Sequence, residues 1–114
     1  MDNKRLSKTS AGILADPAND LVFSAAGALE IAIKAQLGKL RLPDDPEPFL
    51  RHHLELNNVA TLPVTIEHAL HVYTLPLHHR DPFDRILIAQ CQIESMPIVT
   101  ADPVIAQYGV SVLW

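Results

Sequence analysis

Four acidic residues stand where chemistry is most easily done: Glu30, Asp81, Asp84 and Asp102. Carboxylates are hard oxygen donors of the kind that Mg²⁺ and Mn²⁺ prefer. Two or three of them beside an open coordination position support metal-assisted attack of water on a phosphodiester. Each also has a purely structural reading. Glu30 precedes Lys34 by one helical turn, the spacing of a surface ion pair. Asp81 and Asp102 each precede a proline, as a helix cap would, with proline at the first helical position. Asp84 falls in a first helical turn, where negative charge suits the helix dipole. Singly, then, each is a modest signal.

The elements that must position them follow from periodicity and turn residues. Leu6 to Ala15 reads as a short helix stopped by Asp16-Pro17, and Leu21 to Ser24 as a buried strand. Ala25 to Leu37 reads as a helix, with Leu29, Ile33 and Leu37 spaced by four and Gly38 as its terminator. A proline-rich turn from Leu40 to Pro48 leads to a helix over Pro48 to Leu56 and a strand over Val59 to Leu62. Thr65 caps a helix to about Tyr73, and residues 75–80 form a loop. Asp81-Pro82 opens a helix to about Glu94. A strand over Pro97 to Thr100, a short helix after Asp102-Pro103 and a strand over Val110 to Leu113 complete the chain. Short strands alternating with helices imply an α/β domain with a mainly parallel sheet covered on both faces. Ligand sites in such sheets gather beyond the carboxyl ends of the strands. Glu30, Asp84 and Asp102 are expected to converge there.

The 114 residues suit one domain with one core, taken as residues 1–114. An apolar share of 48% is too high for a disordered chain. No apolar run reaches the roughly 20 residues of a membrane span, and residues 1–10 are not signal-like. A cytoplasmic protein is the expectation, and the single cysteine, Cys91, excludes an internal disulfide. A net charge of −4 argues against simple electrostatic capture of nucleic acid, yet clustered metal-binding carboxylates are themselves acidic. His52 and His53, adjacent on a helix, point apart and read as solvated.

Three stretches carry a family resemblance. The first is Leu29-Glu30-Ile31-Ala32-Ile33-Lys34 with Leu37-Gly38-Lys39-Leu40 and Leu42-Pro43. The second runs from Leu75-Pro76-Leu77-His78-His79-Arg80 through Asp81-Pro82-Phe83-Asp84-Arg85 into Leu87-Ile88-Ala89-Gln90. The third is Val99-Thr100-Ala101-Asp102, closed by Tyr108-Gly109-Val110 and Leu113-Trp114. In order and spacing they resemble the PIN domain, in particular the nucleases of VapC-like type II toxins. The resemblance implies a three-layer α/β/α fold and a Mg²⁺- or Mn²⁺-dependent endoribonuclease. It gives the metal-holding, catalytic roles to Glu30, Asp84 and Asp102, with Asp81 and Thr100 in support. His79, Arg80 and Arg85 become candidates to meet RNA phosphates. Implied partners are an RNA substrate, a small antitoxin and a further copy of the chain, with no membrane.

The chain departs from that pattern in two places. The family opens on an apolar strand ending in Asp-Thr or Asp-Ser, whose aspartate is the central metal ligand and whose strand lies mid-sheet. These residues open on Met1-Asp2-Asn3-Lys4-Arg5, and no apolar run precedes Asp2. A mis-set start, a fragment and a degenerate copy all give this pattern. Impaired activity and association through unpaired strand edges are then expected. Position 28, usually a large aromatic residue, is Ala28. The competing function is a non-catalytic remnant that binds a protein or itself. A phosphatase-like hydrolase has no nucleophile motif to support it.

Overall fold

The computed structural model describes residues 16, 18, 20–78, 80–99, 105–108 and 112–113. They fall into two compact units, one formed by residues 20–64 and the other by residues 16 and 18 with the described residues from 65 onward. The helix expected over Leu6 to Ala15 and the cap expected at Asp102 lie outside the described residues.

The first unit holds β1 (Val22–Ser24), α1 (Ala25–Gln36), α2 (Pro46–Leu56) and β2 (Ala60–Leu62). Strands β1 and β2 pair in parallel, Val22 with Ala60 and Ser24 with Leu62. A parallel pair needs a crossover, which α1 and α2 supply. Helix α1 starts at once after β1 because Ser24 Oγ accepts from the Ala26 N–H at 3.0 Å. It ends in a Schellman arrangement: the Lys39 N–H reaches the Lys34 carbonyl at 2.9 Å, with Gly38 at φ 74. Helix α2 begins two residues earlier than the sequence suggested. Asp45 has the extended backbone of a cap, and Pro46 stands in the first turn, where its missing N–H costs nothing. The spaced residues Leu29, Ile33 and Leu37, which identify α1 as a helix, are exposed, whereas Ala26 is buried.

The second unit holds α3 (Ile66–His71), a 3₁₀ turn (Val72–Thr74), α4 (Pro82–Glu94), β3 (Ile98–Val99), a second 3₁₀ turn (Ile105–Tyr108) and β4 (Val112–Leu113). β3 and β4 pair in parallel, Ile98 with Val112 and Val99 with Leu113. The parallel pairing is as expected, here divided between two short ladders. The core gathers Leu75, Ile88, Ala89 and Tyr108, with Val72 and Ile98 packed on it. Arg85, Ile88 and Ala89 recur at the spacing of one helical face, so α4 turns that side inward. Full burial of Ile88 alone contributes about 1.5–3 kcal/mol.

Polar groups tie α3 to α4. Thr65 caps α3 in a capping box whose second partner is His68: the Thr65 hydroxyl accepts the His68 N–H, and His68 Nδ1 accepts the Thr65 N–H, both at 3.1 Å. Gln90 Nε2 lies 3.3 Å from the same Nδ1. Two donors on Nδ1 place the ring proton on Nε2, which donates to Glu94 Oε2 at 2.8 Å. His68 is fully buried, and these bonds satisfy its ring. His71 makes a parallel link, its Nε2 2.7 Å from Gln92 Oε1, while Gln92 Nε2 donates to the Tyr108 carbonyl at 2.9 Å.

Candidate active site

The best-defined part of the candidate site is the start of α4. Asp81 is its cap: Oδ1 accepts from the Phe83 N–H at 2.9 Å and the Asp84 N–H at 3.4 Å. Pro82 follows at the first helical position, and Asp84 lies in the first turn. Both the cap and the dipole-compatible charge are thus present, which is what the sequence suggested for these residues in their structural capacity.

Arg85 fixes this helix start to the chain before it. Its guanidinium donates to the carbonyls of Pro76 (2.9 Å), Val72 (3.1 Å) and Leu75 (3.4 Å), and to the Tyr108 hydroxyl (3.4 Å). These carbonyls close the turn after α3, where a cation is electrostatically favoured and where orphan acceptors need donors. A planar fork with five N–H groups can serve several carbonyls at once. Arg85 is buried and engaged with the protein itself, so this geometry gives it a clamping role and leaves the RNA-facing expectation to His79 and Arg80. Arg80 is exposed. His79, Thr100 and Asp102 lie outside the described residues.

Glu30 belongs to the first unit, in the second turn of α1. Its carboxylate pairs with Lys34 Nζ at 2.9 Å, an i,i+4 contact with both side chains partly exposed. Such a pair is worth only a few tenths of a kcal/mol, about 0.3–0.5, and yields readily to a stronger cation. Among the described residues no group of three or more His, Cys, Asp or Glu side chains is close enough to hold a metal ion. Each carboxylate is by its chemistry a hard donor of the kind a divalent cation takes, and Asp81, with Oδ1 committed to two backbone N–H groups, fits first as a cap.

A largely apolar cleft of about 370 Å³ lies within the first unit, walled by Phe23, Ala28 and Ile31 on one side and Leu50 and Leu54 on the other. Ala28, where the family's pattern has a large aromatic residue, leaves part of this space open. Sequence reasoning missed the clamp by Arg85 and the buried His68–Gln90 pair. The spacing of Thr65 and His68 was the available signal for the latter.

Short parallel ladders with helices around them define an α/β protein. A family model for the PIN domain matches residues 1–110, and the chain belongs to the PIN domain family. PIN domains are generally nucleases, hydrolases acting on RNA or DNA that typically use divalent metals. No curated protein and no solved structure matches the chain significantly. Among the described residues no helix is long and apolar enough to cross a membrane.

Proposed function

We propose that this chain is a metal-dependent endoribonuclease domain of the VapC-like, toxin–antitoxin type. Glu30, Asp84 and Asp102 hold Mg²⁺ or Mn²⁺, Asp81 and Thr100 steady the site, and His79 and Arg80 meet RNA phosphates. A divalent cation held by these carboxylates polarises the phosphate and supplies an activated water. The reading is supported above all by the family match over residues 1–110, together with a helix start at Asp84 that is capped by Asp81 and clamped by Arg85. Residues 1–114 by themselves offer three of the family's carboxylates and no counterpart of its opening Asp-Thr strand. Activity of these residues alone is therefore low, because fewer hard ligands share the ion while the like-charge repulsion remains. A small antitoxin is the partner that the family resemblance implies.

The test compares these 114 residues with a version preceded by an apolar strand ending in Asp-Thr. Mn²⁺ titration calorimetry should give much tighter binding in the extended form, and RNA cleavage should appear there. Asp84→Asn in that form should abolish cleavage. Cleavage equal to the parent would leave Asp84 a helix-start residue and nothing more. A second reading, a non-catalytic PIN-fold module that binds a protein or itself, is favoured by the large apolar side chains left open on α1 and α3.

A further inference from the structure

The cleft of the first unit is made by a strand pair and two helices. Phe23 and Thr61, register partners in the β1–β2 ladder, turn to the same side of it and both line the cleft. Ala28 on α1 stands across from Leu50 and Leu54 on α2. The Phe23 ring packs directly on Gly27, where an added Cβ would fall 2.8 Å from it. Backbone contact thus holds this ring as a wall, and it does not swing into the space. The volume of about 370 Å³ lies in the range of small-molecule sites, which are mostly apolar with a few polar groups at defined points. Water in so apolar a space finds few partners, and an apolar ring that displaces it gains affinity.

The polar group on the rim says which end of a ligand it takes. Arg51 lines the cleft, and its Nε donates to Glu47 Oε2 at 3.0 Å. That bond uses one edge of the guanidinium and leaves both terminal amino groups without a partner among the described residues. Two terminal amino groups in one plane match the two oxygens of a carboxylate. Glu47 is well exposed, so its charge is screened by water and repels a second carboxylate only weakly. The cleft therefore offers a flat apolar slot with a cationic fork at its mouth.

We propose that this cleft is a binding site for a free aromatic carboxylic acid: the ring lies between Phe23 and Leu50, and the carboxylate meets the Arg51 fork. Glu30, although on α1, does not line the cleft, so the site is separate from the carboxylates assigned to the metal. It does not depend on the nuclease reading.

Titration of the ¹⁵N-labelled 114-residue chain with naphthoate tests it, with naphthalenemethanol as the uncharged counterpart and acetate as the ringless one. Naphthoate should give saturable amide shifts centred on Ala28, Leu50 and Thr61, with a Kd below about 1 mM. Naphthalenemethanol should bind about three- to fivefold more weakly, the worth of an exposed ion pair. Arg51→Gln should weaken naphthoate by the same factor and leave the alcohol unchanged. Acetate should give no saturable shift. Ala28→Phe puts a ring into the space and should abolish binding of both aromatic probes, with unchanged far-UV circular dichroism. Shifts that do not saturate, or that centre on other residues, overturn the proposal. An alcohol that binds as tightly as the acid, or an acid indifferent to Arg51→Gln, overturns the carboxylate as the ligand class, and this arm stands even if Ala28→Phe fails to fold.

Discussion

His68 Nε2 lies 2.8 Å from Glu94 Oε2, so that one buried ring joins the first turn of α3 to the last turn of α4. The same ring closes the capping box with Thr65 through Nδ1. Replacing it by alanine leaves the Thr65 N–H and the Gln90 amide without their acceptor. His68→Ala is expected to cost about 2–3 kcal/mol. Glutamine can still close a capping box but cannot reproduce the ring's bond to Glu94, so His68→Gln should fall between the parent and alanine. Urea midpoints of the three proteins check the order; equal midpoints for alanine and parent would show that the network contributes nothing.

Arg85→Lys keeps the charge and discards the fork. An ammonium cannot span the carbonyls of Val72, Leu75 and Pro76, so at least one buried acceptor is orphaned. The expected loss is about 2–3 kcal/mol. A variant as stable as the parent in urea would mean that the clamp is geometrically present but energetically idle.

Asp81 separates two roles by chemistry. Serine retains a side-chain acceptor for the Phe83 N–H, whereas alanine loses it, so Asp81→Ala should cost about 1 kcal/mol more than Asp81→Ser. In the version carrying the opening strand, Asp81→Ser should leave Mn²⁺ affinity nearly unchanged, while Asp84→Asn should lower it by about tenfold or more. A large loss of affinity in the stable serine variant would make Asp81 a metal ligand.

Burial pushes the Cys91 thiol above its ordinary pKa, so less thiolate is present at a given pH than in a free thiol. Alkylation of the native chain by iodoacetamide should therefore be slow near neutrality, and its rate should rise at a more alkaline pH than for a free thiol. Native and urea-unfolded chains reacting at the same rate would contradict this.

Much of the local structure was legible because the punctuation is strong. Asp81-Pro82, Thr65 and Gly38 act as the sequence suggests, and α4 occupies the expected span. The start of α2 was misjudged because Pro46 and Pro48 resemble a turn, although proline is at home in a first helical turn. The helix expected to reach Tyr73 tightens to 3₁₀ at Val72, where Arg85 draws the carbonyls of the turn to itself; nothing local in sequence announces that. Leu29, Ile33 and Leu37 gave the correct helix but not its packed face, since periodicity reveals that a helix has two sides without saying which neighbour covers them. Arg85, His68 and Gln90 were hardest to read. Their partners lie many residues away, and polar side chains signal exposure far more often than satisfied burial.

The chain's two tyrosines make a matched pair of probes, with Tyr73 fully in solvent and Tyr108 shut in the core at 7% exposure. Nitration mapped by mass spectrometry would mark Tyr73 in any folded, unassociated molecule and reach Tyr108 only when the core opens. Ring chemistry at one residue thus registers any covering of its surface, and at the other unfolding, in a single sample.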